Sequence, residues 1–136
     1  MNRKRILFLC TGNSARSQIA EGLLRSMSGD RYEAYSAGTH PKGLHPQTIM
    51  TMSEVGIDVQ QQASKSVDSF FGMQFDCVIT VCDRAKESCP VFPGARSLHW
   101  SFEDPADASP EEQPELFRRV REEIRKRLEE FLATDN

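Results

Sequence analysis

Five small residues, Thr11, Gly12, Asn13, Ser14 and Ala15, separate Cys10 from Arg16, and Ser17 follows directly. Small side chains let successive backbone N–H groups turn inward around an anion. A helix starting near Ser17 adds its positive end to the same place. A cysteine in that setting is expected to have a lowered pKa, so that the thiolate, the nucleophilic form, is present near neutral pH. The Arg16 guanidinium offers a planar fork matched to two oxygens of a tetrahedral oxyanion such as phosphate or arsenate. The Ser17 hydroxyl can donate to the thiolate as well. The C-x5-R spacing alone is a weak signal, since a strand-end cysteine near a surface arginine shows it too. Context favours the oxyanion loop: an apolar run precedes it, small polar residues fill it, and a helical pattern follows.

A second group is Cys82, Cys89 and Asp104. Six residues separate the two cysteines. On a regular helix they would stand two turns apart, about 10 Å, whereas a disulfide needs Cα atoms within about 7 Å. They can join only if the segment bends or unwinds, and its solvated composition (Asp83, Arg84, Lys86, Glu87) permits that. Two unrelated thiols are an alternative. So is a zinc pair completed by Cys77 and His99, although C-x6-C lacks the usual zinc spacing. Cys77 lies inside an apolar run and reads as core. Asp104, followed by Pro105, either protonates a leaving oxygen at the thiolate rim or simply initiates a turn, and spacing alone favours the turn.

The elements that position these groups follow from the pattern. Ile6–Leu9 is a continuous apolar run, as a buried parallel strand should be. Ile19, Ala20, Leu23, Leu24 and Met27 recur at helical spacing over 17–27, and Ser28-Gly29-Asp30 ends that helix. Glu33–Ala37 is a short strand. Pro46 opens a second helix that Gly56 closes, with Ile49, Met50 and Met52 as its apolar members. Cys77–Val81 is a buried strand and Arg96–Trp100 a weaker one. Leu116, Val120, Ile124, Leu128 and Leu132 repeat every four residues along a last helix, with Phe117 and Phe131 flanking. Strands alternating with helices predict an α/β fold, one domain over 1–136, with a parallel sheet of about four strands and helices on both faces. Ligands of such sheets bind beyond the carboxyl ends of the strands, where Cys10 and Cys82 both fall. If their strands are neighbours, about 4.8 Å apart, a transient bond between the two sulfurs is within reach.

The totals narrow the class. A chain of 136 residues, net charge −3 and pI about 5.6 carries no nucleic-acid footprint. The basic, apolar start stops at Thr11-Gly12-Asn13, too soon for a signal-peptide core, and no segment reaches membrane-spanning length. The expectation is a cytoplasmic monomer with reduced thiols and no membrane or nucleic-acid partner. Four cysteines there point to catalysis, metal binding or plain burial before structural disulfides.

Several stretches resemble the thioredoxin-coupled arsenate reductases, which share the fold of the low-molecular-weight protein tyrosine phosphatases. They are CTGNSARSQ-x-AEG (Cys10 to Gly22), YSAG (Tyr35 to Gly38), EVGID (Glu54 to Asp58), VITVC with Cys89-Pro90, HW-x-F-x-DPA (His99 to Ala106) and FRRVREEI (Phe117 to Ile124). The resemblance spans nearly the whole chain. Cys82 and Cys89 set the reductases apart from the phosphatases. Gln18, where the phosphatases tend to have proline, and Ala106, where they tend to have tyrosine, point the same way.

The resemblance implies a relay. Cys10 attacks arsenate held by Arg16 and the loop, Asp104 protonates the departing oxygen, and a disulfide passes from Cys10–Cys82 to Cys82–Cys89, where thioredoxin reduces it. No tightly bound cofactor and no metal are implied. Ala15 replaces a cysteine of some relatives that takes no part in the relay. Lys65 stands where some relatives have an aspartate that helps hold potassium near Asn13, Glu21 and Ser36. Its ammonium is expected in the place of that cation, so potassium should not be required, unless Lys65 is a plain surface lysine. The rival readings are a phosphatase of the same fold working through a Cys10 phosphoenzyme, and a non-catalytic oxyanion or redox sensor.

Overall fold

The computed structural model describes residues 3–83, 85 and 92–135. Four parallel strands, β1 (Lys4–Cys10), β2 (Tyr32–Gly38), β3 (Cys77–Thr80) and β4 (Arg96–His99), form one sheet in the order β2-β1-β3-β4. Each is flanked in sequence by helical segments: α1 (Arg16–Ser28), α2 (Pro46–Ser53), α3 (Gln113–Thr134) and two short 3-10 helices, Val67–Phe70 and Pro105–Asp107. The apolar run at Ile6–Leu9 is β1, the central strand, and its last five residues are all buried. The register pairs Cys10 with Gly38 on one side and Leu9 with Thr80 on the other. The ends of β1 and β3 therefore lie side by side, as the sequence pattern requires for Cys10 and Cys82 to meet.

The α-helices pack on one another, α3 against both α1 and α2. On their face of the sheet Phe8 meets Trp100, and Trp100 meets Phe131 of α3. The other face is closed by an aromatic cluster in which Tyr35, Phe70 and Phe75 contact one another edge-on, and Phe92 contacts Phe75. Phe70 belongs to the 3-10 helix, so helical segments do cover both faces. No helix among the described residues is long and apolar enough to cross a membrane.

Three helical patterns differ from their expected form. In α3 the buried stripe is Phe117, Val120, Ile124, Leu128 and Phe131, whereas Leu116 and Leu132 are only partly buried. A strict four-residue repeat precesses by about 40° per step on a helix, so its two ends rotate off the core. In α2 Met50 is 60% exposed, and Thr48 and Thr51 take buried places beside Met52. In α1 the run Ser17–Leu24 is buried all round, polar Ser17, Gln18 and Glu21 included. Ser17 and Gln18 bond Asn13 of the β1–α1 loop, and Glu21 bonds Ser36 and Arg25.

Candidate active site

The loop between β1 and α1 is held open by a strap. The carbonyls of Cys10, Thr11, Gly12 and Ser14 accept hydrogen bonds from the N–H groups of Thr39, His40, Lys42 and His45, at 3.1, 2.8, 2.9 and 3.0 Å. Thr48 Oγ1 adds a second donor to Ser14 O at 2.8 Å, and Gln18 Nε2 donates to Asn13 O at 3.0 Å. In a planar trans peptide the N–H points opposite to the carbonyl. With the carbonyls from 10 to 14 drawn outward, the N–H groups that follow them turn inward. One is seen doing so: Asn13 N–H donates to Cys10 Sγ at 3.1 Å. Asn13 adopts φ +47°, a left-handed conformation that asparagine tolerates and that makes the tight turn around the sulfur. Helix α1 then starts at Arg16 without a side-chain cap on its first N–H groups. The strap and Thr48 carry no motif of their own, and sequence reasoning passed over them.

Cys10 is buried, with Ser17 Oγ 2.9 Å from its sulfur. Ser17 in turn accepts from Asn13 Nδ2 at 2.8 Å, which leaves its own hydrogen for the sulfur. The expected lowering of the Cys10 pKa is corrected here. Burial raises it above the ordinary value of 9.0, and the Ser17 hydroxyl, the Asn13 N–H and the Arg16 charge pull it down without reversing that. The sequence shows the donors but not that the sulfur is almost sealed from water.

Arg16 Nη2 pairs with Asp104 Oδ2 at 3.3 Å, and Nη1 donates to Phe102 O at 3.0 Å. Asp104 does what its spacing suggested, accepting Ala106 N–H at 3.0 Å to begin the 3-10 helix, and it also faces the cleft. Cys10, Thr11, Gly12, Ser14, Ala15, Arg16, Cys82 and Asp104 all line that cleft. Thr11 Oγ1 lies 3.3 Å from Cys82 Sγ, and Ala85 N–H donates to the same sulfur at 3.4 Å. Cys89 lies outside the described residues. Cys77 is buried in β3, and burial pushes its thiol up to about 11, as for a core residue. His99 is engaged by Thr80 Oγ1 at 2.7 Å and Asp83 Oδ1 at 2.9 Å, away from any zinc arrangement with Cys77. Among the described residues no cluster of three His, Cys, Asp or Glu could hold a metal ion.

The four candidate cation-site residues do come together, behind the loop. Asn13 Nδ2 donates to Ser36 Oγ at 3.0 Å, and Ser36 Oγ donates to Glu21 Oε1 at 2.6 Å. Lys65 N–H donates to Asn13 Oδ1 at 2.8 Å, while Lys65 Nζ lies 3.8 Å from Glu21 Oε1 and donates to Ala63 O at 2.5 Å. Arg25 closes the other side of Glu21 at 2.5 Å. The Lys65 ammonium is therefore aimed inward at a buried carboxylate, and burial lowers its pKa. Gln18, read from sequence only as a family marker, bonds Asn13 O, Asn13 Oδ1 and Ala63 O and so locks the left-handed turn.

Comparison with known proteins bears on this geometry. Residues 5–135 match the family of low molecular weight phosphotyrosine protein phosphatases. The arsenate reductase of Bacillus subtilis is 46% identical, with 98% of this chain and 99% of that one covered. A solved arsenate reductase in its phosphate-binding state superposes with a TM-score of 0.81 at 31% identity, covering 98% of this chain and 99% of that one. The thioredoxin-dependent arsenate reductase of Corynebacterium glutamicum gives a TM-score of 0.75 at 28% identity, covering 98% of this chain and 64% of that one.

Proposed function

The chain belongs to the low molecular weight phosphotyrosine protein phosphatase family, and within it we propose a reductase that turns arsenate into arsenite with electrons from thioredoxin. The observation that carries this reading is the second thiol at the mouth of the oxyanion loop: Cys82 Sγ, 3.3 Å from the Thr11 hydroxyl and two residues beyond the end of β3, the strand beside β1. Hydrolysis of a phosphate ester has no use for a thiol there, whereas reduction of arsenic needs one.

Arsenate enters the loop, its oxygens met by inward N–H groups and by Arg16. Cys10 passes its proton to an oxygen of the bound arsenate and attacks arsenic, and the departing oxygen takes a proton from Asp104 and leaves as water. Cys82 then attacks Cys10 Sγ. The electron pair of the sulfur–arsenic bond stays on arsenic, which leaves as arsenite, and a Cys10–Cys82 disulfide remains. Cys89 attacks Cys82 and frees Cys10 as a thiolate. The resulting Cys82–Cys89 disulfide is reduced by the thioredoxin dithiol. No tightly bound cofactor takes part. Lys65 supplies the charge that potassium supplies in some relatives.

The test couples the protein to thioredoxin, thioredoxin reductase and NADPH, adds arsenate, and follows NADPH loss. Steady consumption abolished by Cys10→Ser, Cys82→Ser and Cys89→Ser in turn supports the relay. Cys89→Ser should accumulate a Cys10–Cys82 disulfide detectable by mass spectrometry. No consumption, with an aryl phosphate hydrolysed through Cys10 alone, would make the protein a phosphatase. A single oxidation without sustained consumption would make it a sensor.

A further inference from the structure

Lys42 belongs to the strap and lines the rim of the cleft. Its N–H is tied to Gly12 O at 2.9 Å. Its aliphatic stem lies on Gly12: a Cβ added there would come within 3.3 Å of Lys42 Cδ and 3.5 Å of Cγ. Backbone and stem are thus seated on the oxyanion loop, and only the ammonium end is left to move.

The charges of the cleft give that end a task. Among the described residues three aspartates line it, Asp83, Asp104 and Asp107, against two permanent cations, Arg16 and Lys42. Arg16 is already paired with Asp104, and Asp83 shares a hydrogen bond with His99. Lys42 forms no ion pair with a carboxylate among the described residues. Among the described residues of the mouth acidic groups outnumber basic ones, and Lys42 is the cation of the two that has no carboxylate partner. The walls carry no Phe, Tyr or Trp among the described residues, so nothing there stacks on an aryl group.

We propose that Lys42 is a substrate-capture and specificity residue, whose ammonium closes over the outward-facing oxygen of an inorganic tetrahedral oxyanion seated in the loop. An aryl ester would present its ring at that point and lose the contact, so Lys42 favours the inorganic anion over the ester. This rests on the oxyanion-site reading above.

The test follows protection of Cys10 from iodoacetamide by inorganic phosphate. Wild type is compared with Lys42→Met, Lys42→Arg and Arg16→Gln, at low and high salt. Lys42→Met should need roughly two- to tenfold more phosphate than wild type at low salt, with the gap closing as salt rises. Lys42→Arg should restore wild-type protection, and Arg16→Gln should lose it. In turnover, KM for arsenate should rise with Lys42→Met by the same factor while kcat stays within about twofold. Equal protecting concentrations for wild type and Lys42→Met, or a loss that Lys42→Arg does not repair, would overturn the role of Lys42 alone. No protection of wild type by phosphate would overturn the oxyanion site itself, and this proposal with it.

Discussion

Thr11 Oγ1 and Cys82 Sγ, 71 positions apart in sequence, stand 3.3 Å apart at the mouth of the cleft. A hydroxyl at that distance can donate to the sulfur when it becomes a thiolate, and hydrogen bonds to charged groups are worth about 1.5–3 kcal/mol. Thr11→Val keeps the shape and removes the donor. It is expected to slow arsenate turnover by about tenfold or more while leaving iodoacetamide modification of Cys10 near the wild-type rate. An unchanged turnover rate would remove Thr11 from the chemistry.

Cys10 sets the pH dependence. Because burial raises its pKa above 9.0, the thiolate fraction is small at neutral pH and keeps growing as pH rises past that value. Alkylation of Cys10 without bound oxyanion should therefore accelerate through pH 9, with no plateau between pH 6 and 8. Ser17→Ala removes a donor 2.9 Å from the sulfur and should shift the curve further upward, lowering the rate at pH 8 by about tenfold.

Gly38 is where β2 passes the loop. A Cβ there would lie 2.5 Å from Thr11 O and 3.0 Å from both Asn13 N and Asn13 Cβ, all at or beside the left-handed turn around the sulfur. Backbone cannot yield as a flexible side chain does. Gly38→Ala should cost about 1–3 kcal/mol in stability, measured by denaturant unfolding. It should also abolish most turnover under conditions where the protein remains folded.

Lys65 predicts the response to cations. Its Nζ lies 3.8 Å from Glu21 Oε1 in a site whose other members, Asn13 and Ser36, are fully buried. A potassium ion would have to compete with a covalently held ammonium. Turnover should be the same in potassium and sodium at fixed ionic strength. Lys65→Asp should introduce a dependence on potassium, read as a rise in thermal stability and in kcat with the added ion. Strong potassium stimulation of the wild type would refute the substitution.

Much of the site is local and could be read from the chain. Cys10, Arg16, Ser17 and the small residues between them fall within one strand–loop–helix, where consecutive positions fix the geometry. Alternation of apolar runs with helical patterns was enough for a parallel four-stranded sheet, because burial on both faces leaves a continuous apolar strand. A repeat of four only approximates a turn of 3.6, so the pattern overvalues Leu116 and Leu132 and undervalues Phe117 and Phe131.

The sequence by itself showed a cysteine at the head of a small-residue loop closed by an arginine, with three further cysteines along the chain. What only the tertiary structure decided is that β1 and β3 are neighbours, the condition on which Cys82 stands at the cleft while Cys77 stays in the core. It alone supplied the strap from 39 to 45, whose N–H groups draw the loop carbonyls outward and so turn the loop amides inward. It also reversed the sign of the Cys10 pKa shift. Donor types are written in a sequence, whereas desolvation depends on how many neighbours from distant segments close over a group, and that is known only once the chain has folded.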